Sequence, residues 1–252
     1  MRPFPSLLLA ALSGGALLAL EAEGTLLARY PGVAPLLVKA KAQFAAGRLE
    51  AARQAFQACL AMLPSHHEAH FYLGQLAYQD KDYRGARDHI EAAERSLEDL
   101  DREYQARLKV QNARDAQSLL AAQKNVDYLT LEKGITEGSC SYSLVLLATQ
   151  SLRTAQEASR HHALPEERPF TLPASYQFLH ANCLFRLGDL DGAETLYLKT
   201  LELDPRHAGA WNNLVSLGLI RKQPETALRH LKAAEAAKIA IQPALRKAVL
   251  GT

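Results

Sequence analysis

Gly47-Arg48-Leu49-Glu50-Ala51-Ala52 and Lys81-Asp82-Tyr83-Arg84-Gly85-Ala86 decide the architecture, because aligning them places Ala52 and Ala86 34 residues apart. The agreement spreads outward from there: Phe56 aligns with Ile90, Cys59 with Ala93 and Ala40 with Gly74. Gly188-Asp189-Leu190-Asp191-Gly192-Ala193 stands the same distance before Lys222-Gln223-Pro224-Glu225-Thr226-Ala227, with Tyr197 on Leu231 and Thr200 on Ala234. A fixed interval that occurs twice in one chain is the mark of a fold made of stacked units.

Inside each unit two apolar stretches have helical spacing, for example Phe71, Leu73, Leu76 and Ala77, then Ala86, Ile90 and Ala93. Small residues sit where the two helices must cross, since a larger side chain would push the axes beyond the usual ~8–10 Å. Pro64 and Pro205 close their units, because proline cannot continue a helix. Each unit therefore reads as a helical hairpin, and the fold class is all-α.

The pattern resembles the tetratricopeptide repeat (TPR). That family has small residues at the eighth, twentieth and twenty-seventh positions of its unit, bulky ones at the fourth and twenty-fourth, and proline at the thirty-second. Val33 to His66 supplies Leu36, Ala40, Ala52, Phe56, Cys59 and Pro64, with Lys39 where leucine is usual. His67 to Leu100 supplies Leu73, Gly74, Ala86, Ile90 and Ala93 and lacks the proline. Ala174 to His207 supplies Ala181, Ala193, Tyr197, Leu201 and Pro205, and Ala208 to Ile241 supplies Trp211, Leu214, Ala227, Leu231 and Ala234. The resemblance implies a helical-hairpin solenoid with an irregular central helical hairpin.

Residues 101–173 lie outside the periodic units. They contain no proline before Leu164, which predicts a helix from about Leu97 to Leu131, a turn at Gly134 to Gly138 and a second helix from Ser141 to His161. Leu119, Leu120, Val126, Tyr128, Leu129 and Leu131 are expected to face Val145, Leu146, Leu147 and Leu152. A helical insertion and a pair of degenerate repeats both satisfy this length. Pro165, Pro169 and Pro173 form a linker into the third unit, and residues 242–252 are a tail or a short capping helix.

At the amino terminus Arg2 precedes an uncharged run from Leu7 to Leu20. Its 14 residues are short for the ~20 of a membrane span and suit the apolar core of a secretory signal. Residues 1–24 are read as a signal peptide or anchor, and 25–32, with Pro31, as a linker. The expected location is periplasmic or secreted, with membrane attachment if the segment is not cleaved.

The composition narrows the chemistry. A formal charge of +2, from 29 Lys+Arg against 27 Asp+Glu, provides no basic face for a phosphate backbone, so nucleic acid is excluded as an expected partner. Three cysteines cannot build a disulfide framework. Cys59 and Cys183 fall where repeat helices pack and read as small apolar groups, and Cys140 in the central turn is the exposed one. His66-His67-Glu68-Ala69-His70 is one residue short of a zinc-protease helix, and His66 with His70 lacks further ligands, so a solvated repeat boundary is expected. His161-His162 reads as a polar helix end. No nucleophile with base and orienter, phosphate loop or set-apart carboxylate pair is present, which points away from an enzyme and from any cofactor.

What remains is a surface. In the family this chain resembles, the first helices line a concave face through their second, fifth, ninth and twelfth positions. These map to Ala34, Leu37, Lys41 and Phe44; Glu68, Phe71, Gln75 and Tyr78; Ser175, Phe178, Asn182 and Phe185; and Gly209, Asn212, Ser216 and Leu219. Rings supply buried area and amides hold backbone groups, a mixture suited to an extended peptide or a helix. Packing of the same rings between neighbouring hairpins is the competing role. Asn182 and Asn213 occupy the asparagine positions of a carboxylate clamp, but Phe178 stands in the preceding lysine position, so that clamp is incomplete. The expected function is a non-catalytic scaffold or adaptor for a protein or peptide. The alternative is a structural part of an envelope, secretion or pilus assembly that makes contact through the central hairpin.

Overall fold

The computed structural model describes residues 26–133, 142–161 and 170–251. Every regular element among them is helical: α1 (Leu26–Ala45), α2 (Leu49–Met62), α3 (His67–Gln79), α4 (Tyr83–Asp127), a π-helical turn (Tyr128–Lys133), α5 (Tyr142–His161), α6 (Ala174–Leu187), α7 (Leu190–Leu203), α8 (Ala208–Ile220), α9 (Pro224–Ala236) and α10 (Pro243–Leu250). The described residues fall into two compact units, 29–99 with 170–251, and 26–28 with 100–133 and 142–161.

The first unit holds all four hairpins: α1 with α2, α3 with the start of α4, α6 with α7, and α8 with α9. Small residues at the crossings let the helices close, and Ala40, Ala52, Cys59, Ala86, Ala93, Ala181, Ala193, Thr200, Ala227 and Ala234 are completely buried. In the fourth hairpin Val215 stands at the eighth position, and the close approach moves one turn on to Gly218. A Cβ there would lie 2.8 Å from the Ala227 nitrogen.

The turn inside each hairpin needs one residue in the left-handed region, always at the fifteenth position. Gly47 (φ 72°), Lys81 (φ 65°), Gly188 (φ 89°) and Lys222 (φ 58°) fill it. Glycine takes this conformation freely, whereas a side chain there is strained. The next residue starts the second helix: Asp82 Oδ1 accepts from the Gly85 amide at 3.0 Å and Asp189 Oδ1 from the Gly192 amide at 2.9 Å. Histidine does the same for two first helices, with His66 Nδ1 accepting from Ala69 and His207 Nδ1 from Ala210.

Two boundaries differ from the sequence expectation. The segment read as a linker is helical from Leu26, with Pro31 and Pro35 inside α1. Tyr30 accounts for this: its ring stacks on His66 at 4.5 Å, its hydroxyl accepts from the His67 amide and donates to the Ser65 carbonyl, and the side chain is buried. The second hairpin does not end near Leu100, and no new helix begins at Leu97. Glu98 stands where Pro64 and Pro205 end α2 and α7, and no glycine or proline follows Gly85 until Gly134, so α4 runs on for 45 residues. Residues 242–252 contain the capping helix α10, whose Leu245 and Val249 pack against Val215, Leu231 and Ile241. Pro173 is the N-cap of α6, while Pro165, Pro169, the turn at Gly134 to Gly138, Cys140 and residues 1–24 lie outside the described residues.

In the second unit the latter part of α4 faces α5 across an open cleft of about 430 Å³, lined by Asp115, Ser118 and Ala122 on one side and Ser151, Thr154, Ala155 and Ala158 on the other. The expected leucine-rich contact is only partly formed. Ala148 is buried, and Leu120, Tyr128, Leu146 and Leu147 remain exposed. Among the described residues no helix is long and apolar enough to cross a membrane.

Lys81→Gly and Lys222→Gly are each expected to stabilise the hairpin unit by about 0.5–1 kcal/mol, and Gly188→Ala to destabilise it by about 1 kcal/mol. Urea denaturation of the three variants checks this; equal midpoints would show that the left-handed position carries no strain.

Candidate functional site

Second and third hairpins are consecutive in space although 73 residues separate them in the chain. The Phe71 ring of α3 stacks on Tyr176 of α6 with centroids 4.2 Å apart and planes 9° from parallel. The Tyr176 hydroxyl meets His67 Nδ1 at 2.9 Å, and Leu179, Ile90 and Ala93 close around the pair. His180 Nδ1 lies 3.1 Å from Glu94 Oε2. The second and third hairpins therefore pack directly on each other. The same contacts make α1, α3, α6 and α8 successive first helices.

The structure gives the expected surface residues unequal roles. Phe71 is packed inside the seam, and Leu37 is also buried. Phe178 is half-buried, with its ring 4.3 Å from that of His207 and against Gly209. Asn182 and Asn213 serve the core: Asn182 Oδ1 accepts from the Tyr197 hydroxyl and from Asn213 Nδ2, both at 2.8 Å. A phenol as buried as Tyr197 must find such partners or lose the hydrogen bonds it had in water. Asn212 Oδ1 accepts from the Gln242 amide and so holds the approach to α10. Lys41 forms an ion pair with Glu68 and lies over the Tyr72 ring at 5.8 Å. Phe44 meets Tyr72 edge-on at 5.2 Å. Gln75, Tyr78, Phe185 and Ser216 are half-buried and present part of their surface to solvent.

Four residues outside the expected set shape this face. Tyr30 and Tyr176 bind the hairpins together, Tyr72 lies parallel to Phe56 with centroids 4.8 Å apart, and Arg186 donates to the Tyr78 hydroxyl. Tyr176, at the third position of its unit, carried a sequence signal only as an aromatic ring beside Phe178.

The histidine-rich boundary is buried, not solvated. His66 and His67 are almost fully enclosed and stack with Tyr30. Burial, reinforced by the positive charge of Lys41, lowers His66 to about 4; burial, then His66 and Lys41, lowers His67 to about 3. Both rings are neutral at pH 7, as the His66 cap requires, because a protonated Nδ1 cannot accept. His70 Nε2 meets the Pro64 carbonyl oxygen at 2.8 Å and its Nδ1 lies 3.1 Å from His89 Nδ1. Among the described residues no group of three or more His, Cys, Asp or Glu side chains is arranged to hold a metal ion. Cys59 and Cys183 are free and buried, and burial pushes the Cys183 thiol up to about 12.

A family model described as tetratricopeptide repeat matches residues 37–100 and 178–240. Among solved structures the chain is similar to YrrB, a TPR protein with an unusual peptide-binding site, at 20% identity over 79% of this chain and 83% of that one, with a TM-score of 0.27. It is also similar to TTC0263, a thermophilic TPR protein of Thermus thermophilus, at 17% identity over 87% and 97% of the two chains, with a TM-score of 0.34. No curated protein matches the chain in sequence.

Removing the seam rings tests their role. Phe71→Ala and Tyr176→Ala should each cost roughly 3–5 kcal/mol, and the double variant should fall short of the sum by about 0.5–1.5 kcal/mol. Strict additivity in the denaturation cycle would mean that the stack joins nothing.

Acid should weaken the same region. His66 lies below its ordinary 6.5 in the folded chain, so between pH 6.5 and 4 the unfolded chain takes up a proton that the folded one refuses. Stability is full above pH 6.5 and falls as the pH drops, by about 2 kcal/mol at pH 5 from this group. His66→Asn keeps a capping side chain without titrating there. Its stability difference between pH 7.5 and pH 5 should shrink by that amount, and an unchanged difference would acquit His66.

Proposed function

We propose that this chain, which belongs to the tetratricopeptide-repeat family, is a non-catalytic scaffold that holds a peptide or partner protein along its four first helices. The observation that carries this reading is the direct packing of α3 on α6, which makes the first helices of both repeat pairs one succession despite the insertion. Half-buried Phe44, Tyr78 and Phe185 supply apolar area there, and Gln75 and Ser216 supply polar groups suited to a peptide backbone. Phe71, Phe178, Asn182, Asn212 and Asn213 support the face from within by their packing and internal bonds.

Export belongs to the same proposal and rests on the uncharged run Leu7 to Leu20 behind Arg2. A second reading, assembly through the insertion, is favoured by one observation: Leu120, Leu144, Leu146 and Leu147 are exposed.

Panning the full chain against a phage-displayed library of random peptides tests the first reading. Enriched peptides should bind at least about tenfold more weakly to Gln75→Arg and Ser216→Arg, with helical circular dichroism unchanged. The absence of any enriched peptide, or equal affinity in both variants, removes the scaffold reading. Loss of assembly in a Leu144→Gln, Leu146→Gln, Leu147→Gln variant that still binds the peptide would favour the second.

A further inference from the structure

The seam between the second and third hairpins carries two phenols and a cation at three positions where its counterparts carry neither. Tyr78 lies in the last turn of α3, Tyr83 begins α4 and Arg186 lies in the last turn of α6. The equivalent trio between the first and second hairpins is Phe44, Leu49 and Gln79, and between the third and fourth it is Phe185, Leu190 and Ile220. At these three positions the other two seams carry no phenol or cation, although Arg53–Asp80 and Arg221–Glu194 bridge them elsewhere, so the packing of consecutive hairpins does not itself require this trio.

Arg186 is held in place by those phenols. Its Nε donates to the Tyr78 hydroxyl at 3.4 Å, and its guanidinium carbon lies 5.8 Å from the centre of the Tyr83 ring. Tyr78 and Tyr83 meet edge-on at 5.3 Å, which fixes the two rings against each other. Both of these contacts to the guanidinium come from phenol side chains. By contrast, Arg53, Arg87, Arg107, Arg221 and Arg246 each pair with a carboxylate of this chain. Arg186 is exposed, and with Nε engaged its two terminal nitrogens remain as a planar fork, the arrangement that receives a carboxylate through two parallel bonds. Anchoring by the rings lowers the side-chain entropy lost on binding.

We propose that the α3–α6 seam is an acidic anchor point: a peptide lying on the first helices places an Asp or Glu carboxylate on the Arg186 guanidinium, beside the Tyr78 ring. This rests on the scaffold reading and adds the chemistry of its partner.

The test uses the full chain and the same library of random peptides. Selected sequences should share an Asp or Glu at one register position. A synthetic copy of a selected peptide should lose about tenfold in affinity for Arg186→Gln, and should bind Arg186→Lys less tightly than the unaltered chain because lysine lacks the fork. Thermal unfolding of Arg186→Gln should match that of the unaltered chain, as expected for an exposed side chain. Enriched peptides with no acidic preference, or an acidic peptide that binds Arg186→Gln within about twofold of the unaltered chain, would overturn the anchor and leave the scaffold reading standing. If no peptide is enriched, both fall together.

Discussion

The stack of Phe71 on Tyr176 is the contact on which the rest depends. A helical hairpin cannot bury its apolar side alone, and each hairpin here hides that side only against the next. As two separate pairs the four hairpins would share two interfaces, whereas in succession they share three. Parallel rings 4.2 Å apart, with the Tyr176 hydroxyl satisfied by His67, join the pairs with both area and direction. The seam thereby turns two short repeat pairs into one run of first helices, which is the precondition for holding an extended partner.

The same economy explains the polar groups. Asn182 and Asn213 sit where a peptide could meet them, yet Tyr197 needs both because its hydroxyl is enclosed. His66 and His67 could be surface residues by type, yet both are spent inside, His66 on a cap that requires the neutral ring and His67 on a stack with Tyr30. Arg186 differs from these in keeping its terminal nitrogens at the surface while its neighbours hold it still.

Much of the fold was legible because it is written in local spacing. Ala52, Ala86, Ala193 and Ala227 mark crossings that any repeat of this kind must have, and the left-handed turn recurs at Gly47, Lys81, Gly188 and Lys222. Helix starts at His67, Ala174 and Ala208 followed from the period. The start of α1 was not legible, since Pro31 and Pro35 argue against a helix and only Tyr30, docked on residues 65–67, overrides them. The run of α4 through residue 127 could be read in hindsight from the missing proline at Glu98, an absence that weighs little until the path of the chain is known.

Sequence alone determined that this chain is an all-α array of paired helices with small residues at their crossings, because the helical period and the demands of close approach act between residues a few turns apart. The tertiary structure decided which rings stay partly open to solvent and which are buried against a neighbouring hairpin. Phe71 and Tyr176 are 105 positions apart in the chain, and no local pattern records whether an aromatic side chain finds its match across such a distance. Burial depends on what the insertion allows to come together, and that is a property of the folded chain.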